Sequence, residues 1–78
     1  MTEQQEWELT YNYLLGISVG LKDYSRRLRV TAGEMYSLGK DTEAHIYREL
    51  ADEIKALSVR ERKKAADHKA RYEGKADD

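Results

Sequence analysis

The stretch Ser37-Leu38-Gly39-Lys40-Asp41 is the one clear break, near the midpoint, in a chain that otherwise puts no obstacle before a helix. The 78 residues contain no Pro and five Gly. Proline would remove a backbone donor and clash with the preceding turn, and turn-dense β folds depend on Gly and Pro. Gly39 suits the left-handed position just past a helix end, Asp41 suits the N-cap of the next helix, and Glu43 suits its first turn. The chain therefore reads as all-α. Two long antiparallel helices form a helical hairpin, the first over about residues 3–38, a turn at 39–41 and the second over about 42–72. Residues 1–73 are expected to be a single helical domain and 74–78 a disordered tail.

The second half supports this directly, because Tyr47, Leu50, Ile54 and Leu57 recur at three- and four-residue spacing with charges between them. In the first half, Trp7, Tyr11, Leu14, Ser18, Leu21, Ser25, Leu28, Ala32 and Met35 follow an unbroken four-three spacing. Thr2 and Gln5 have capping-box spacing ahead of it. Leu9, Tyr11, Tyr13, Leu15, Ile17, Val19 and Leu21 also alternate, which leaves an N-terminal strand over 9–21 as the alternative. The helix is favoured because its spacing runs on to Met35 and no tight turn gives a strand its neighbour. Thr31-x-x-Glu34 and Ser58-x-x-Glu61 are internal cap signals that point to a short extra helix near 31–38 or a kink near 58.

Folded about Gly39–Lys40, paired residue numbers sum to about 79. Arg26, Arg27 and Arg29 then fall near Glu49, Asp52 and Glu53, and Glu3, Glu6 and Glu8 near Lys69, Arg71 and Lys75. The apolar match is poorer. Leu9–Leu21 is apolar nearly all round a helix, whereas the facing segment offers little beyond Val59, Ala65, Ala66 and Ala70. A helix apolar all round must be buried all round. Gly16 and Gly20, opposite Leu14 at four-residue spacing, offer a second helix close approach. The expectation is a protein–protein interaction module, a homo-oligomer (dimer) or a unit docked on a larger protein. Its interface would hold Trp7, Tyr11, Tyr13, Leu14, Ile17, Leu21 and Tyr24. Such a module acts as regulator, inhibitor or adaptor, a style common among small accessory proteins of phages and mobile elements.

No constellation for catalysis is present. The sequence holds no nucleophile elbow, phosphate-cradling loop or zinc-protease motif, so no enzyme and no cofactor are expected. Asp41, His45 and Glu49 share a helical column, but an acidic helix start is ordinarily a solvated face, and no metal is expected. The formal net charge of −1 excludes a general polycation. One run is nevertheless basic, with Arg60, Arg62, Lys63, Lys64, Lys69 and Arg71 against Glu61 and Asp67. Contact with nucleic acid through this helix is the alternative function. No apolar run reaches the ~20 residues that span a bilayer. No signal peptide is seen and Cys is absent, so a cytoplasmic protein away from membranes is expected.

Overall fold

The computed structural model describes residues 2–76 and is a helical hairpin of two long helices, α1 (Glu3–Ser37) and α2 (Asp41–Ala76). Thr2 caps α1 with a full capping box. Its hydroxyl accepts from the Gln5 N–H at 3.2 Å, and the Gln5 side chain accepts from the Thr2 N–H at 2.9 Å. At the other end Lys40 N–H donates to Met35 O at 2.8 Å and Gly39 N–H to Tyr36 O at 3.0 Å. This paired pattern closes a helix around a left-handed residue, and Gly39 takes φ +75° to provide it. Asp41 is already inside α2, where its charge faces the helix N-terminus, and the Lys40 carbonyl accepts the first bond from Ala44.

Neither internal cap signal breaks a helix, and no strand forms over 9–21. Thr31 turns its hydroxyl back onto Arg27 O at 3.1 Å, so the segment 31–37 stays within α1. Ser58 spends its hydroxyl on the opposite helix, and α2 runs on through it. The tail expected over 74–78 overlaps α2 as far as Ala76, and residues 77 and 78 lie outside the described residues.

The seam between the helices differs from the expected one in α2 alone. In α1 the half-buried or buried positions are Trp7, Tyr11, Leu14, Ser18, Leu21, Ser25, Leu28, Ala32 and Met35, together with Leu15, Ile17 and Thr31 beside them. In α2 they are Ala44, Tyr47, Ala51, Ile54, Ser58, Glu61, Ala65, His68 and Tyr72. Leu50 and Leu57 lie one position off this line, 38% and 40% exposed. Ala44, Ala51 and Ala65 are fully covered.

The physical reason is the distance between backbones. Small residues recur every seventh position, as Ser18, Ser25 and Ala32 in α1 and as Ala44, Ala51, Ser58 and Ala65 in α2. Facing one another, they let hydroxyls reach carbonyls across the gap. Ser18 Oγ donates to Ser58 O at 2.9 Å, Ser58 Oγ to Ser18 O at 2.7 Å, and Ser25 Oγ to Ala51 O at 2.7 Å. Leu50 and Leu57 at these places would hold the main chains apart. The close pairs sum to 76 rather than 79, a shift that follows from matching small residues to small residues.

The consequence is an elongated, thinly filled molecule, 60 × 19 × 11 Å, with a radius of gyration of 17.6 Å against about 12 Å for a compact chain of this length. Among the described residues no large side chain is fully buried, and Leu28 is the largest apolar residue in the core. The chain exposes 6060 Å², where a compact monomer of 9.1 kDa exposes about 4,900 Å². No helix in the described residues is long and apolar enough to cross a membrane.

Candidate functional site

Two antiparallel helices packed along two rows leave the hairpin with two broad faces, and the rows beside the seam decide their chemistry. Next to the small row (Ser18, Ser25, Ala32 with Ala44, Ala51, Ser58) stand Lys22, Arg29 and Tyr36 from α1, and Arg48, Lys55, Arg62 and Lys69 from α2. Next to the large row (Leu14, Leu21, Leu28 with Tyr47, Ile54) stand Ile17 and Tyr24 from α1, and Leu50 and Leu57 from α2. Contacts across the seam fix this arrangement. Arg29 bonds Asp52 at 3.0 Å, Tyr36 OH meets His45 Nε2 at 3.4 Å, and Lys69 Nζ lies 5.8 Å from the Tyr11 ring centre, all on the small-residue face.

The large-residue face is apolar at its middle. Leu14, Ile17, Leu21, Tyr47 and Ile54 are half-buried there, and Tyr24 (49% exposed), Leu50 and Leu57 stand further out. With the observed register these residues occupy one continuous stretch. Four of the seven expected interface residues, Leu14, Ile17, Leu21 and Tyr24, fall on it, and Tyr13 is exposed beside it.

Trp7 and Tyr11 are instead used within the hairpin. The Trp7 ring stacks on Tyr72 (4.6 Å between centres), Tyr11 (5.6 Å) and His68 (6.4 Å), and its Nε1–H donates to His68 O at 3.4 Å. Glu3, Glu6, Thr10 and Arg71 border this cluster in a cleft of about 390 Å³. The expected approach of the acidic N-terminus to Arg71 is thus present without a direct ion pair, and the side chain of Lys75 lies outside the described residues. Gly16 and Gly20 face open space, since a Cβ added at either meets nothing within 4 Å. The close approach of α1 to α2 is made by the serines and alanines of the seam, and the side of α1 that carries the two glycines is not covered by α2.

The small-residue face is cationic. Lys22, Arg26, Arg29 and Lys55 line a cleft of about 170 Å³ with Ser25 at its base, and a neighbouring cleft of about 400 Å³ is bordered by Arg29, Arg48, Tyr36 and Asp52. The basic run expected as the nucleic-acid contact does not form one surface. Arg62 and Lys69 belong to this face, Arg60 and Lys63 point outward from α2, and Lys64 and Arg71 flank the apolar side. Lys64 pairs with Glu61 at 3.0 Å and Lys69 with Glu73 at 3.9 Å. Sequence reasoning missed Lys22, Arg26 and Lys55 because their convergence depends on register, which a charge run along one helix does not display.

His45 meets Tyr36, and among the described residues no group of three His, Asp or Glu side chains is placed to hold a metal ion. Comparison with protein-family models, with curated proteins and with solved structures finds no match to this chain.

Proposed function

We propose that the hairpin is half of a four-helix bundle, an interaction module that pairs with a second copy of itself through the apolar face and acts by binding rather than by catalysis. The apolar stretch formed by Leu14, Ile17, Leu21, Tyr24, Leu50, Ile54 and Leu57 carries this reading. Two hairpins laid face to face would bury these residues in a bundle core, the ordinary solution for amphipathic helix pairs. The areas agree. The chain exposes roughly 1,200 Å² more than a compact monomer of its mass, and a stable interface takes about 800 Å² from each partner. Assembly of this kind gives the protein the means to act as a regulator or adaptor, by presenting the remaining surfaces of two hairpins in a fixed geometry.

Light-scattering mass across a concentration series tests it. The expected mass is twice the 9.1 kDa of one chain. Leu50→Glu with Leu57→Glu should return the chain to monomer mass while far-UV circular dichroism keeps its helical signal. A monomer at every concentration, with no binding of an apolar dye, overturns the reading.

A further inference from the structure

The cleft on the opposite face, lined by Lys22, Arg26, Arg29 and Lys55, is a second site with a different chemistry. Four cations and one serine line about 170 Å³, with no acidic side chain among them. Arg29 is held by Asp52, and among the described residues Lys22, Arg26 and Lys55 have no ion-pair partner. Like charges brought to one cleft repel, and an anion seated between them reverses the sign of that interaction. Ser25 Oγ donates its hydrogen to Ala51 O, so it has none to offer an anion and the four cations are left to hold one. Arg29 and Arg48 border the next cleft, and Arg62 follows on α2. Arg48, Lys55 and Arg62 recur every seven residues and so extend the cationic groove over about 21 Å of helix.

We propose that this groove binds the phosphate backbone of double-stranded nucleic acid, without reading its sequence. The chemistry of the walls selects this ligand. An acidic peptide would need apolar anchors for its affinity, and the cleft of Lys22, Arg26, Arg29 and Lys55 supplies none. A single strand would need aromatic platforms for its bases, and Tyr36 is the one aromatic ring bordering the two clefts. What remains is a row of cations about 10 Å apart along the groove, complementary in charge to the phosphate backbone of a duplex and carrying no means of reading its bases. The site lies on the face opposite the apolar stretch, so it is available in a monomer and in a face-to-face pair alike.

The test is fluorescence anisotropy of a labelled 20-base-pair duplex of arbitrary sequence, titrated with the full chain at several salt concentrations. Binding is expected to weaken steeply with salt. Lys22→Ala, Arg26→Ala and Lys55→Ala together should weaken it by roughly tenfold or more and make the slope of log K against log salt shallower by about 3, one per lost phosphate contact. Asp52→Asn, which frees Arg29, should tighten binding. All four positions are exposed, and circular dichroism verifies that helix content is kept. Arg60→Ala with Lys63→Ala, on the outward side of α2, should leave the affinity within about threefold. The proposal is overturned if the duplex does not bind at low salt, if the triple variant binds as the parent does, or if the outward pair costs as much as the triple. Binding to anionic vesicles or polyglutamate that depends on the same residues and exceeds duplex binding overturns it too.

Discussion

Ser18 and Ser58 hold each other's backbones. Each hydroxyl donates to the other residue's carbonyl, at 2.9 and 2.7 Å, and the two hydroxyl oxygens are 3.2 Å apart. Both carbonyls lie within helices, so each uses its second lone pair for this bond. Replacing either serine by alanine should cost about 1 kcal/mol in urea unfolding, with a coupling between the two because they share one exchange. Ser18→Leu is a different experiment. A branched side chain there must push α1 away from Ser58, and it should cost about 1–3 kcal/mol or more and lower the urea midpoint well below that of the alanine variant.

The glycines separate cleanly. Gly39 has φ +75°, and an L-residue there pays for a left-handed backbone, so Gly39→Ala should destabilise by about 1–2 kcal/mol. Gly16 and Gly20 are helical and face open space, so Gly16→Ala and Gly20→Ala should each stabilise by up to about 1 kcal/mol. Thermal unfolding of the three single variants, compared at one concentration, gives the signs directly. Should Gly20→Ala instead destabilise, something must sit on that side of α1 in solution.

How far these features could be foreseen depends on whether they were local. The turn at Gly39, the Thr2–Gln5 box and the α1 line from Trp7 to Met35 depend on residues close in sequence, and each stands where its spacing indicated. The α2 seam did not announce itself. Leu50 and Leu57 are the more hydrophobic residues, and hydrophobicity drew the line through them. The hairpin buries Ala51 and Ser58 because α1 offers Ser25 and Ser18 opposite, a fact about two helices at once. Register then decided the rest. Moving the pairing sum from 79 to 76 set Lys55 across from Lys22 and left Leu50 and Leu57 beside the apolar face.

His68 offers a test of the open end. Its ring lies against Trp7, and Nε2 is buried without a hydrogen-bond partner. An unmet buried polar atom costs about 1–3 kcal/mol. His68→Leu, which keeps the bulk and drops the nitrogen, should therefore be neutral or stabilising despite losing a stacked ring. Trp7 is the single tryptophan of the chain, so its fluorescence during urea titration reports this cluster. Trp7→Ala should cost about 3 kcal/mol, because three stacked rings lose their common partner. A His68→Leu chain that unfolds at markedly lower urea would mean that Nε2 has a partner in solution, such as an ordered water.

The proposed self-association would leave its own mark on stability. A hairpin whose largest buried apolar residue is Leu28 has little with which to offset its conformational entropy, and a second copy covering Leu14, Ile17, Leu21, Leu50 and Leu57 would supply the missing burial. Anything that binds only the folded chain raises its midpoint by mass action. The thermal midpoint should therefore climb with protein concentration for the parent chain. With Leu50→Glu and Leu57→Glu it should fall and become independent of concentration. Because α2 keeps its seam residues Ala51, Ile54 and Ser58 in that variant, the remaining helical signal reports what one hairpin can do alone. Equal midpoints for parent and variant, flat in concentration, would mean that the apolar face contributes nothing to folding.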